Sequence, residues 1–382
     1  MFLNKNWEIT FATPAQNTQF SENLKNLGIA VENIFPNDEK ANILFKKINP
    51  AVVVFDRFMM EEQFGWRIAE TCPNAIRILD TEDLHFVRKA RHQAVKQNIN
   101  IEKADYYNLL AKREIAAILR SDLSLIISEK EMKILVEDFK IEKEILWYLP
   151  FLHEKIEDNF TADFPTFEER ENMMFIGNFL HAPNYDAVLY LKNKIWPIIH
   201  SKDPNIKMLI YGAYPPQKLK NLENKKQNFF IKGRAEELEK TFQNSRLLLA
   251  LLRFGAGLKG KIFDGFLNGT PSITTSIGAE GISGNLPFGG KIGNSAEELA
   301  ELSLALYSNF EEWKKAQQNG KEIINSRFLR SAFEEKFFSK LNLLLKNIEI
   351  HRKENFISQI LMHHRQQSTK YMSRWIEEKN KK

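Results

Sequence analysis

Short apolar runs alternate along this chain with longer stretches whose apolar residues recur every three or four positions. In the first half, Glu8–Ala12, Ala51–Phe55, Ala75–Leu79, Leu123–Ile127 and Ile145–Leu149 read as strands. Between them Phe20–Leu27, Glu61–Thr71, Leu84–Val95, Tyr106–Leu119 and Glu129–Phe139 carry helical spacing, the first stopped by Gly28. A polar stretch, Glu154–Asn172, with Pro165 and the charge cluster Glu168–Glu171, reads as a linker. A second series follows. Met173–Ile176, Lys207–Tyr211, Asn228–Ile231, Leu247–Leu252 and Ser272–Thr275 are strands, and Asn184–Ile199, Ala235–Gln243, Leu258–Asn268 and Ala296–Ser308 are helices. Pro197 is expected in the last turn of its helix, Gly269 closes Leu258–Asn268, and Ser295 with Glu298 makes a capping-box pattern. Beyond Phe310 the spacing is helical through Ile350.

Strands that alternate with helices give parallel sheets covered on both faces. Two such series in succession predict an α/β protein of two Rossmann-like domains, with a cleft between them as the default ligand site. The expected boundaries are residues 1–160, residues 172–330, and a helical and basic tail over residues 331–382.

Composition narrows the class. The 382 residues are 43% apolar and 27% charged, which suits globular cores and excludes a disordered chain. A net charge of +5 is mild for this size and gives no reason to expect nucleic acid as a partner. The single cysteine, Cys72, rules out an internal disulfide framework and predicts a reducing, cytoplasmic setting. The residues after Met1 lack the continuous apolar core of a signal peptide, and no apolar run approaches the ~20 residues of a membrane span.

The chemistry concentrates in FGAGLKGKIFDGFLNGTP, Phe254–Pro271, where Gly255, Gly257 and Gly260 spell GxGxxG between a strand and a helix. A dinucleotide reading would use Glu280, about twenty residues on, for the ribose. Against it, the loop stands late in its series, Lys259 and Lys261 crowd the place of closest backbone approach, and Glu280 lies past the next strand. A diphosphate reading uses the same residues differently. A helix N-terminus offers unpaired N–H groups and partial positive charge, and Lys259 and Lys261 add full charges. Asp264 then lies roughly 6–9 Å along the axis at ~1.5 Å per residue, about the distance from a nucleotide's phosphates to its ribose diol. An ordinary surface helix with solvated lysines satisfies the same spacing.

The second half resembles the donor-binding domain of GT-B glycosyltransferases, in particular the retaining family 4. The resemblance rests on FIGNFLHAPNYDAVLYL (Phe175–Leu191), Trp196 with Pro197, LIYGAYPP (Leu209–Pro216), IKGR (Ile231–Arg234), Gly255–Pro271 and GAEGI (Gly278–Ile282), in that order. It implies that Asp264, where the family usually has Glu, binds the donor ribose. Ala256 stands where the family has a second acid, and Lys261 matches a branch with a lysine three residues before the ribose acid. Gly233 and Arg234 fall where such proteins hold the base, Gly177 and Asn178 in the first cleft loop, and Arg253 and Gly257 beside the phosphates.

In the first half the densest polar cluster is LDTEDLHFVRKAR, Leu79–Arg91, at a strand's carboxyl end. The resemblance places a short His/Asp motif here, so Asp83 and His85 are the expected catalytic pair; capping of the following helix is the alternative use of these acids. Asp56, Arg57 and Glu62 follow the preceding strand and are expected on the acceptor side. The absence of D-x-D and of paired histidine or cysteine spacing predicts no metal and no cofactor beyond a nucleotide-sugar substrate. Retention without a covalent enzyme intermediate follows from the resemblance alone. So does one departure: Met1–Asn6 looks like the end of the family's first helix, so the opening strand, glycine loop and helix are expected to be absent, either through a late start or in fact.

Residues His351–Lys382 set Arg352, Lys353, Arg365, Lys370, Arg374, Lys379, Lys381 and Lys382 against Glu354, Glu377 and Glu378. With Phe356, Ile360, Leu361, Tyr371 and Trp375 they fit either a helix that crosses back to the first domain and frays, or an interfacial helix on a membrane. The sequence therefore points to transfer of a sugar from a nucleotide sugar to a glycan or lipid-linked acceptor. A GT-B protein that only binds a nucleotide sugar or a partner is the first alternative, and a nicotinamide oxidoreductase the second.

Overall fold

The computed structural model describes residues 1–16, 18–19 and 21–380, without the side chains of residues 364–367. Phe20, where the first predicted helix starts, and Lys381 and Lys382 of the basic tail lie outside the described residues, as does the side chain of Arg365.

All the sheet pairing among named strands is parallel. Strands β1 (Thr10–Thr13) and β2 (Ala30–Asn33) pair only with each other. Strands β3 (Val52–Asp56), β4 (Ile76–Asp80), β5 (Leu123–Ile126) and β6 (Leu146–Tyr148) form a second sheet in sequential order. The third contains β7 (Asn172–Ile176), β8 (Lys207–Tyr211), β9 (Phe229–Gly233), β10 (Ser245–Ala250), β11 (Ser272–Thr274) and β12 (Gly290–Ile292), ordered β12-β11-β10-β7-β8-β9. This is the α/β, two-domain, Rossmann-like architecture the alternation predicted.

The third sheet is buried on both faces. Met173, Phe175, Leu247 and Leu249 face a cluster with Leu191, Ile195 and Trp196, while Met174, Leu248 and Ala250 face Ile262, Phe263 and Phe266 of the Gly260–Leu267 helix. That is the near-continuous apolar reading expected of parallel strands. Pro197 is not in the last turn of a helix. Helix Ala182–Tyr190 passes through a π turn, Leu191–Ile195, into helix Trp196–Lys202, and this widened turn accommodates the N–H that proline lacks.

Other boundaries move for identifiable reasons. Only a 3₁₀ turn, Leu24–Leu27, forms where a helix was expected; it buries no residue, so nothing outside it stabilises a longer helix. Helix Arg57–Thr71 begins directly after β3, four residues earlier than its apolar spacing suggested. The glycine-loop helix begins at Gly260 rather than Leu258. Strand β2 and helix Lys40–Ile48 were not anticipated. The long C-terminal periodicity breaks at Phe328–Leu329 into helices Phe310–Arg327 and Arg330–Glu354.

The C-terminal helices return to the first domain. Phe337, Phe338, Leu341 and Leu344 pack on Ile76, Ile78, Leu123 and Leu125 of β4 and β5. Helix Phe356–Asn380 then lies across helices Leu109–Arg120 and Arg57–Thr71, and Arg67, fully buried, pairs with Glu377. It remains helical to Asn380 instead of fraying.

Asp122 pins this return. Its buried carboxylate accepts Nε and Nη2 of Arg352, each at 2.8 Å, and the backbone N–H of Arg77 at 2.8 Å. Burial pushes this carboxyl up, but Arg352 and Arg77 together hold it below its ordinary value. A depressed carboxyl contributes stability above its unfolded pKa and loses it as pH falls through the folded one. Asp122→Ala leaves two arginines without their carboxylate and is expected to cost about 3–5 kcal/mol, read by urea unfolding at pH 7.

Candidate active site

In the third sheet the strand order reverses between β10 and β7, and ligands of open α/β sheets bind beyond the strand ends at such a switch point. The loops that leave β7 and β10 do line a cavity of about 1050 Å³, closed on its other side by Asp83 and Arg88 of the first domain. Of the predicted donor residues, Gly177, Asn178, Arg234, Lys259, Lys261 and Asp264 line it.

Two ammonium groups stand at the mouth of the Gly260–Leu267 helix. Lys259 is the N-cap residue, is buried, and donates from Nζ to Gly257 O at 2.8 Å. Lys261 donates to Asn184 Oδ1 at 2.6 Å and lies 4.3 Å above the Phe175 ring. Loss of water pulls Lys259 down to about 8, with Glu280 opposing. The same cause pulls Lys261 down to about 7, and among the described residues no carboxylate opposes it. Asp264 follows Lys261 by three positions and so shares its helix face. Shielding pushes its carboxyl up to about 6. Cations, helix N-terminus and acceptor thus share one wall of the cavity.

The opposite wall is the turn after β4. Asp83 pairs with Arg88, and its Oδ1 lies 3.3 Å from His85 Nε2. Burial lowers His85 to about 4, Asp83 opposing and Arg88 and Arg57 adding to the drop, so the imidazole is neutral at neutral pH. Its ring meets Phe58 edge to face, centroids 5.5 Å apart. Asp83 does not cap the next helix. The N–H groups of His85 and Phe86 go to Glu114, at 3.1 and 3.0 Å, and that of Leu84 goes to Glu131 at 2.8 Å. Burial raises Glu114 to about 8. With capping done from elsewhere, Asp83 faces the cavity.

The two walls meet at the glycine loop. Gly257 has φ 59, and a Cβ there would stand 2.8 Å from Asp83 Cβ and 3.3 Å from Glu82 O. Glycine is needed at this position because the first domain packs on it. Ala256 lies against the first-domain core, and Phe254 stacks on His92 with centroids 4.3 Å apart. Glu280 is held by Arg91 at 2.7 and 2.8 Å, so the carboxylate that a dinucleotide would require is already engaged.

The remaining predicted residues divide. Gly233 has φ 73 and accepts Gly212 N–H at 2.7 Å, turning the chain so that Arg234 reaches the cavity. Arg253 does not face the phosphate side: it pairs with Asp186 at 2.9 Å and covers Tyr190. Asp56 and Arg57 pair with each other, and Arg57 Nε lies 3.5 Å from Glu82, so they stand behind the Asp83 turn rather than in the cavity lining. Arg57 and Glu82 both have positive φ, 68 and 56, a strained backbone in non-glycine residues. Glu62 is bound to Arg113 and lines a different hollow, between the Arg57–Thr71 and Phe356–Asn380 helices. His181 and Asn184 line the cavity, and Glu131 and Arg91 reach its glycine loop, without having been chosen as site residues. His181 and Asn184 sit in the HAPN segment after β7, where proximity to Gly177 was the available signal; Arg91 closes the polar cluster Leu79–Arg91, and Glu131, which acts across domains, had none.

Residues 170–309 match the family described as glycosyl transferases group 1. A segment of 121 residues is 27% identical to an uncharacterized 44.6 kDa protein in the cps region of Klebsiella pneumoniae, covering 30% of this chain and 31% of that protein. Among solved structures, Anabaena HepE in complex with UDP and glucose superposes with a TM-score of 0.61 at 12% identity, over 87% of this chain and 91% of that one. S. aureus TarM, in complex with fondaparinux, alpha-GlcNAc-glycerol and UDP, gives 0.60 at 14% identity, over 79% of this chain and 58% of that one. The pneumococcal O-GlcNAc transferase GtfA, with UDP and GlcNAc, gives 0.58 at 15%, over 80% and 60%. The chain spans less than two thirds of the Klebsiella protein, TarM and GtfA, and likeness at such identities establishes fold. Together with the sheet order, it gives this chain the GT-B fold, and the segment that resembles glycosyl transferases group 1 is its second domain.

Proposed function

We propose that the chain transfers a sugar from a nucleoside-diphosphate sugar bound in the interdomain cavity. The observation that carries this is the placing of Lys259, Lys261 and the Gly260 helix mouth on one wall with Asp264, facing Asp83 across the cavity. The diphosphate lies at the lysines, the ribose diol donates to Asp264, and the sugar reaches toward Asp83 and His85. As the glycosidic bond breaks, charge builds on the leaving diphosphate, and preorganised cations and N–H groups stabilise it. In this reading Lys259, Lys261 and the helix N-terminus supply the positive charge that a metal ion would otherwise bring to the leaving diphosphate.

The remaining steps rest on the family resemblance. Attack and departure share one face of an oxocarbenium-like sugar, the leaving phosphate takes the acceptor proton, and configuration is retained. His85, with its ring neutral, and Asp83 orient the sugar. The acceptor is a glycan or lipid-linked saccharide in surface-polysaccharide assembly, a reading supported by the cps-region relative. A cytoplasmic protein touching the inner membrane face through the exposed Phe356, Ile357, Ile360 and Trp375 would suit a lipid-linked acceptor. Among the described residues no helix is long and apolar enough to cross a membrane.

Calorimetric titration with UDP-glucose and GDP-mannose, followed by assays of donor hydrolysis and transfer, tests this reading. Binding of neither donor would count against it, and binding without turnover would favour the binding-only alternative. Asp264→Ala is expected to weaken donor binding by about 1.5–3 kcal/mol, a tenfold to hundredfold rise in Kd.

Binding should also move protons. A diphosphate raises the pKa of Lys261 from about 7, so at pH 7.5 the complex takes up a proton, and affinity falls as pH rises from 7 to 8.5. Below pH 6, protonation of Asp264 turns one of its two acceptor oxygens into a donor and removes its charge, so affinity falls on that side too. Titrations with UDP-glucose in buffers of different ionisation enthalpy measure the uptake, and Lys261→Met should abolish most of it.

A further inference from the structure

Glu131 occupies an unusual place for its type. Ser128 caps its helix by accepting Glu131 N–H at 3.1 Å, and a glutamate at this third position commonly turns back to the cap residue's own N–H. Here it turns away. Its Oε1 accepts the N–H of Leu84 at 2.8 Å and that of Gly257 at 2.9 Å. One oxygen therefore joins the residue before His85 in the first domain to the residue two before Lys259 in the second. Glu131 is 2% exposed, and its Oε2 is buried with no hydrogen-bond partner. Burying a carboxylate so incompletely satisfied is costly, and its helix is capped without it.

We propose that Glu131 is a positioning residue for the transfer reaction: through Oε1 it fixes the phosphate-side loop in register with the Asp83–His85 turn. Arg91 supports the same loop from the side, donating to Gly255 O at 2.9 Å. Leaving group and sugar contacts come from different domains, so contacts across this seam help set their separation. The function follows from an acceptor oxygen at one place, not from negative charge. The inference rests on the donor reading of the cavity given above.

The test compares Glu131→Gln, which keeps the acceptor oxygen, with Glu131→Ala and Glu131→Asp, which remove or withdraw it. Amide hydrogen exchange on the unliganded protein reads the tie directly: Ala and Asp should speed exchange at Leu84 and Gly257, and Gln should not. With UDP-glucose, Ala and Asp should lower kcat by about ten- to a hundredfold while KM changes far less, and Gln should stay within about threefold of the wild type. If the Ala variant does not fold, the Asp and Gln pair decides. Loss in Gln as large as that in Ala would show that an acceptor oxygen at this place is not enough, and unchanged exchange and kcat in Asp and Ala would remove the role; either result overturns the proposal. Absence of donor binding and turnover in the wild type would withdraw the donor reading and the catalytic role with it, while exchange would still report whether the tie exists.

Discussion

Positive charge held away from bulk water at one helix mouth is the constraint that organises this molecule. Lys259 and Lys261 stand where the backbone N–H groups of the Gly260–Leu267 helix already concentrate partial positive charge. Shielding from water makes each ammonium there harder to keep protonated, as the lowered values of both lysines record. The helix that carries them is anchored by Ile262, Phe263 and Phe266. Its far end is fixed separately: buried Arg170, from the linker, donates to Gly269 O at 3.1 Å and Thr270 Oγ1 at 3.2 Å. The helix is thus anchored along its apolar face and at its far end, with both charges at its mouth.

The first domain is shaped to meet that charge. Its sheet runs β3 to β6 with Asp56 opposite Asp80 in register, so the carboxyl ends of β3 and β4 bring an acidic group to the seam. Each acid there has a defined neighbour. Asp56 is paired with Arg57, Asp83 with Arg88, and Glu131 with two backbone amides. Close approach is possible because Gly257 has no side chain, so the Asp83 turn comes within van der Waals contact of the loop. The GxGxxG spacing thus serves a contact between protein domains, which explains how a dinucleotide-like pattern occurs late in a domain without a free acid at Glu280.

Much of the fold was legible because strong periodicity survives in single segments. Strand β8 and the Ser295-capped helix Ala296–Ser308 fall on their predicted bounds, since each has an unbroken pattern and defined ends. The break at Phe328–Leu329 was hidden because apolar residues continue at helical spacing across it. The site was legible where chemistry is local in sequence: Lys259, Lys261 and Asp264 lie within six residues, and one helix face aligns the last two. Arg253 and Glu62 were misplaced because the side of an element a residue faces depends on partners far away, here Asp186 and Arg113. Glu131 and Arg91 act on a loop more than a hundred residues distant, and no local pattern carries that information.

The charges of the seam are unevenly balanced. Arg91 has Glu280, Arg88 has Asp83, and Lys259 feels Glu280, Glu131 and Asp83 together. Lys261 stands apart: its contacts are a neutral amide oxygen and an aromatic face, and burial alone accounts for its shift. A cation kept partly dry without a carboxylate is costly to the free protein and becomes favourable once an anion arrives. Asp264 shows the complementary condition, a carboxyl pushed up by shielding, with no cation among the described residues countering it. It gains when hydroxyl donors supply the hydrogen bonds that water no longer gives. A single ligand with negative charge at one end and vicinal hydroxyls a helical turn away relieves both, and a nucleoside diphosphate is built that way.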